Sequence, residues 1–414
     1  MRTTRFMQVT GLAVAILALA AISWRGANAA GKAEVLHSFG DGGGEYPATD
    51  LVVDGAGHIY GTTTQGGDWN SGTVFQLTRT GDGWSESVLY SFTSGADGSQ
   101  PYNGVTLDAQ GNIYGTAVTG GTGQACEGGC GVVYKLTRSG GNWTQSVLYN
   151  FTGGNDGAGP GAGLTFDQNG SLYGMTPIGG EFGLGVIYQL TPQPNGEWTQ
   201  SVIHTFTGGT DGGTGSAGRL LLHSGSLYGV ATVGGLHAKG TAFRLSRSPE
   251  GKWRLKTLYA FQGQPDAGFP YGALIRDAAG NFYGTTYYDG RYGYGAVFQL
   301  TPGPADTWTE RVLYSFKNGL DGANPISHLN LDASGNLYGT TSEAGAPGCS
   351  CGTIFKLTPS EGGRWRQSVA HAFRGAPDGA YAYNGMVAGP AGSFYGSTVI
   401  GGTDDDGVIY EFVP

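Results

Sequence analysis

Charge is scarce in this sequence. Asp, Glu, Lys and Arg make up 13% of the 414 residues, and the 22 Lys and Arg are outnumbered by 31 Asp and Glu. Nucleic-acid phosphates demand clustered basic side chains, so nucleic acid is excluded as a partner. Beyond the first thirty residues, no apolar run could cross a membrane. Linker-like stretches are missing too, which argues against a string of separate domains. H-E-x-x-H, G-x-S-x-G and Walker sequences are also absent. The glycine-rich Gly157–Gly163 joins two strands and opens no helix, so it makes no phosphate cradle.

The one long apolar run lies at the start. Arg2 and Arg5 precede an apolar stretch from Gly11 to Ile22, and Ala27-Asn28-Ala29 follows. This order describes a secretory signal peptide over residues 1–29, leaving a mature domain from 30 to 414. An uncleaved anchor is the alternative, and the run is short for one. Cleavage removes Arg2, Arg5 and Arg25 and no acid; Lys plus Arg then falls from 22 to 19 against 31 acids, a formal net charge of −12. Export places the protein in the periplasm, on the cell surface or outside the cell. In that oxidising setting the four cysteines are expected to pair.

Glycine is in excess, with 80 residues, beside 23 Tyr, 18 Phe and 8 Trp. The glycines sit at fixed offsets between apolar runs, as turn and close-packing residues do. A Tyr-Gly pair recurs at Tyr60, Tyr114, Tyr173, Tyr228, Tyr283, Tyr338 and Tyr395. Upstream of each stands a Phe: Phe39, Phe92, Phe151, Phe206, Phe261, Phe316 and Phe373. Downstream comes an apolar segment such as "TVFQL" or "TIFKL", then in six units a Trp.

Each unit therefore reads as four short strands, A to D, exemplified by "GVTLD", "NIYGT", "GTVFQLT" and "WSESVLYSF". Alternation in strand D predicts Trp84, Val88, Tyr90 and Phe92 on one face and Leu89 on the other. Strand B is apolar on both sides, which suits a sheet packed between two others. The "DxxGN" between A and B reads as a tight turn. Seven such sheets predict an all-β, seven-bladed β-propeller. The mature chain opens with "VLHSF", a lone strand D, and its last segment, "VIYEFVP", is a strand C lacking its D. Pairing the two closes the ring and removes an exposed sheet edge.

Repeats of this length, with Gly-Gly after strand B and Trp in strand D, resemble kelch repeats. The segments "GNLYGTT", "GTIFKLT" and "VLYSF" more closely resemble the choice-of-anchor tandem (GloVer) repeats of exported bacterial proteins. The resemblance covers the mature chain end to end. It implies export and a repeat-built propeller, and no particular activity.

Antiparallel strands put the D→A connections and the B–C loops on one face, where the length variation of the repeat is concentrated. Variable loops on a rigid scaffold are the usual place for binding. The two longest B–C loops hold Cys126 with Cys130 and Cys349 with Cys351. Blades 2 and 6 are not neighbours, so local pairs are expected, and the smaller Cys349–Cys351 ring should reduce more easily. Metal would need four convergent ligands; neither a metal nor a cofactor is expected. Asp97, Asp156, Asp211, Asp266, Asp321 and Asp378 each follow a strand-D Phe by five residues. They read as turn devices holding backbone N–H groups, with a ring of cation or ligand contacts as the alternative.

Function shows where a repeat breaks its own symmetry. At the innermost position, where other blades have Gly or Ala, this chain has Asp50, Arg219 and His328. These could hold an anionic ligand or perform acid–base work, or could simply be solvated in a wet channel. Blade 5 carries Tyr287, Tyr288, Arg291, Tyr292 and Tyr294 in its B–C loop, and blade 1 carries Trp69. Exposed aromatics stack on sugars or anchor protein partners, and they also pack on neighbouring loops. The expected function is an exported monomeric propeller that binds a glycan or an extracellular protein on its loop face. The alternatives are a hydrolase or lyase at the channel mouth around Asp50, Arg219 and His328, and a structural cell-surface component.

Overall fold

The computed structural model describes residues 31–40, 42–81, 83–215 and 218–414. The secretory leader expected over residues 1–29 lies outside the described residues. Seven sheets follow one another along the chain, each with its strands hydrogen-bonded in the order A-B-C-D. In blade 1 the strands are Val52–Val53, Ile59–Thr63, Thr73–Thr80 and Gly83–Ser91. The fold is an all-β, seven-bladed propeller.

The glycine of each Tyr-Gly pair answers a packing need. Strand C carries a large ring opposite it: Gly61 pairs with Phe75, Gly115 with Tyr134 and Gly174 with Tyr188. A Cβ on Gly61 would come within 2.6 Å of the Phe75 ring and 2.9 Å of Leu51. The neighbouring tyrosine is fixed from its far end. Tyr60, Tyr114, Tyr173 and Tyr283 each donate a hydroxyl hydrogen at 3.0 Å to the aspartate of the preceding turn, Asp54, Asp108, Asp167 and Asp277. The other oxygen of each aspartate accepts backbone N–H groups across the turn. Burial and the adjacent carboxylate push the Tyr60 and Tyr283 hydroxyls up to about 12. The turn motif is thus a side-chain clamp joining A to B.

Seven hydrophobic clusters hold the ring, and each joins two adjacent blades. The strand-D Trp of one blade leans on the strand-B Tyr of the blade before it, as in Trp198 on Tyr114 and Trp253 on Tyr173. The seam between the last and first blades is built in the same way. Lys32–Ser38 pairs antiparallel with Val408–Val413, from Lys32 opposite Val413 to Ser38 opposite Val408. Trp84 of blade 1 contacts Tyr395 of blade 7, and Phe39, Ile409, Phe75 and Leu51 share one core.

Strand D departs from simple alternation. Every C–D ladder slips by one residue; in blade 1, Val74 pairs with Tyr90 and Phe75 with Val88, leaving Leu89 as the bulged residue. A bulge turns the side chains that follow it onto the other face. Val88 is therefore 38% exposed, and Leu89 packs beside Tyr90 on the core. The expected shared face of Trp84, Val88, Tyr90 and Phe92 does not form.

Candidate functional site

One face of the propeller is built from paired loops. In all seven blades the D→A connection bridges to the chain leaving strand B: Gly44–Glu45 with Gln65–Gly66, Ser99 with Thr119, Ala158 with Ile178, Gly213–Gly215 with Val233 and Ala231, Ala267 with Asp289, Ala323 with Glu343, and Ala380 with Ile400. The two loop types therefore share a face and hold each other in place.

The repeated loop aspartates are engaged within these connections. Asp97 accepts from Tyr90 Oη at 2.9 Å and Thr93 N at 2.8 Å, and Asp156 repeats this with Tyr149 and Thr152. Asp266 and Asp321 take Tyr259 and Tyr314, while Asp211 and Asp378 take His204 and His371. Each carboxylate thus ties strand D to its own turn. Where the first connection lacks this aspartate, Glu86 from the adjacent strand D meets His37 at 3.0 Å. In blades 2, 3 and 6 the residue at that strand-D position is Gln, and it donates to the backbone oxygen of the loop aspartate: Gln145 to Asp97, Gln200 to Asp156, Gln367 to Asp321. Blade 5 has Glu310 there, facing Asp266. Burial and the Asp266 charge push the Glu310 carboxyl up to about 9.

The cysteines form two local bonds, Cys126–Cys130 and Cys349–Cys351. Among the described residues, no group of three or more His, Cys, Asp or Glu is placed to hold a metal ion.

At the centre, the three symmetry-breaking residues lie in one ring. His328 Nδ1 is 3.5 Å from Asp50 Oδ1, and His328 Nε2 is 3.0 Å from the Met386 carbonyl oxygen. Both partners are acceptors, an arrangement that favours hydrogen on both ring nitrogens of His328. Burial opposes the charge that results, but Asp50 outweighs it and holds the His328 pKa above its ordinary value. Burial likewise opposes the Asp50 charge, yet His328, Arg219 and the Gly385 N–H keep its carboxyl below the usual range. Arg219 donates to the Val105 carbonyl at 3.4 Å, on the far side of Gly163. Glycine makes room for these side chains: a Cβ on Gly385 would lie 2.2 Å from the His328 ring, and one on Gly163 would lie 3.1 Å from Arg219 Nε.

A small cavity opens beside this ring, lined by Asp50, His328, Asn103, Asn384 and the tyrosines Tyr102, Tyr271 and Tyr383. The tyrosines come from blades 2, 5 and 7. Burial and their mutual proximity push the Tyr102 hydroxyl well above its ordinary value. Sequence reasoning missed these three. The signal lay two residues before the innermost position, where "PYNG", "PYGA" and "AYNG" depart from the repeat.

The blade 5 loop residues continue outward from there. Tyr271 is 6.3 Å from Tyr287, Tyr287 is 4.3 Å from Tyr288, and Tyr288 is 5.9 Å from Phe269, measured between ring centres. Tyr288 is 47% exposed. Arg291 and Lys317 both lie over Tyr292, at 5.7 and 5.8 Å. Tyr294 is also exposed, while Trp69, 65% exposed, stands on blade 1 with no ring contact to this group among the described residues.

A fungal alcohol oxidase with catalytic diversity in the AA5 family, solved with copper, superposes with a TM-score of 0.54 at 14% identity, covering 93% of this chain and 76% of its own. A Thermus thermophilus protein described as an oxidoreductase (glucose dehydrogenase) gives a TM-score of 0.44 at 16% identity, covering 92% and 100%. At 14% identity the likeness to the alcohol oxidase is one of fold alone. No curated protein sequence matches the chain. The Gloeobacter/Verrucomicrobia repeat matches residues 24–220, 122–346 and 216–414. The chain belongs to the Gloeobacter/Verrucomicrobia repeat family, whose matches together run through all seven blades of its propeller.

Proposed function

We propose that this protein is an exported binding propeller that holds a glycan on the face formed by the D→A and B–C loops. One observation carries the reading: the run of rings from exposed Tyr288 through Tyr287 to Tyr271 at the channel mouth. Aromatic side chains with polar edges offer flat apolar faces to sugar rings and hydroxyls to their substituents. The platform rests on paired loops of a rigid scaffold, so little order must be acquired on binding. Export is supported by the leader-like start of the sequence and by two local disulfides.

The hydrolase or lyase reading at Asp50, Arg219 and His328 is the weaker one. A general base needs a free ring nitrogen, and both of those on His328 are engaged. The test is a glycan array probed with wild type and with the Tyr287→Ala/Tyr288→Ala/Tyr292→Ala variant. A defined glycan class bound by wild type and lost in the variant is expected. Equal binding by both, or none by either on a folded protein, would refute the proposal; retention of an extracellular protein instead would transfer the site to a protein partner.

A further inference from the structure

The channel ring holds polarity that a stacked sugar leaves unused. When His328 is protonated, it and Arg219 set two cations against the carboxylate of Asp50. That leaves an unbalanced positive charge inside a protein of formal net charge −9. The cavity beside it is walled by Asn103 and Asn384, only 4% and 8% exposed. Among the described residues, neither side-chain amide nitrogen has a hydrogen-bond partner, and nor does Arg219 Nε. Of these, Asn103 and Asn384 line the cavity, and two buried donors without acceptors there are costly unless an acceptor occupies it.

Size narrows the occupant. The free space at the cavity's base measures about 20 Å³, room for one small group. Water would accept from these donors but would leave the positive charge unbalanced. We propose that the axial pocket binds one small monovalent anion, of halide or carboxylate size, through the amide N–H groups of Asn103 and Asn384. His328 and Arg219 supply the balancing charge. The source is either a free ion or the carboxylate at the tip of a sugar acid seated on the tyrosine platform. The second source rests on the glycan reading; the first does not.

The experiment uses the full mature protein and bromide as probe. Crystals soaked in sodium bromide are expected to show an anomalous peak between Asn103 and Asn384. Thermal unfolding in bromide or formate is expected to rise saturably at constant ionic strength, and the Asn103→Leu/Asn384→Leu variant should lose the response. If that variant does not fold, His328→Gln keeps a donor for Met386 and removes the charge; half-saturation should then rise at least tenfold. An ordered water in place of the peak, or the same salt response in wild type and variants, overturns the proposal. Competition identifies the source. Glucuronate displacing bromide where glucose does not supports the sugar-acid form. Displacement by formate alone supports the free-ion form, and the glycan platform then stands or falls on its own array result.

Discussion

Glu310→Gln should make the protein more stable, and only above mildly acidic pH. In other blades a glutamine in this position gives an N–H to the loop aspartate's carbonyl. An ionised Glu310 has no hydrogen to give and faces the Asp266 carboxylate, so the folded protein keeps it protonated up to about pH 9. The unfolded chain releases that proton near pH ~4.3. Between these values the folded state binds more protons than the unfolded one, so stability falls as pH rises. The penalty is absent below pH ~4, grows by about 1.4 kcal/mol per pH unit and levels off above pH ~9. At pH 7 this amounts to ~4 kcal/mol at most, and roughly 2 kcal/mol allowing for the partial solvent access of the side chain. Glutamine carries no such penalty and restores the bond. Thermal unfolding of both proteins from pH 4 to 9 is the assay. Curves that coincide at pH 4 and separate progressively, with the variant higher by a few degrees at pH 8, are expected. A constant offset, or a variant less stable at pH 8, would refute the reasoning.

Other outcomes follow from the packing. Gly61→Ala forces a methyl into the Phe75 ring and Leu51, and should cost ~1–3 kcal/mol in chemical denaturation. Asp156→Ala removes the acceptor of Tyr149 Oη and Thr152 N; a loss of ~1–3 kcal/mol is expected, with faster proteolysis near residue 154. Removing residues 31–38 strips strand D from blade 7 and bares the edge of Val408–Val413. That variant should aggregate or dimerise in light scattering, whereas Phe39→Ala should remain monomeric and lose ~3–5 kcal/mol.

The architecture was legible because each repeat states the same local solution seven times. The Tyr-Gly pair, the opposing ring and the turn aspartate are all within one unit, so alignment alone exposed them. The closure was legible because the amino-terminal strand D and the terminal strand C are complementary fragments. The bulge at Leu89 was not, since no residue there marks a slip; the ladder with strand C sets it. The central ring was half legible. Asp50, Arg219 and His328 broke the pattern at one position. Their partners, Met386, Val105 and Gly163, belong to other blades, and the packing of blades around the axis brings them near. Tyr102, Tyr271 and Tyr383 were overlooked because the pattern was read at a single level of the channel. The charge of Glu310 was hidden for a similar reason: the letter differs from its glutamine counterparts by one atom group, while its consequence depends on Asp266.

Lys32 lies opposite Val413 on the outer strands of one blade. A short peptide joining them would make a circularly permuted chain feasible, opened instead at any of the six hairpins that link C to D elsewhere. The joint between strands C and D that the chain does not cross in blade 7 could then be moved from blade to blade, and the mechanical strength of each joint compared by pulling on otherwise identical molecules.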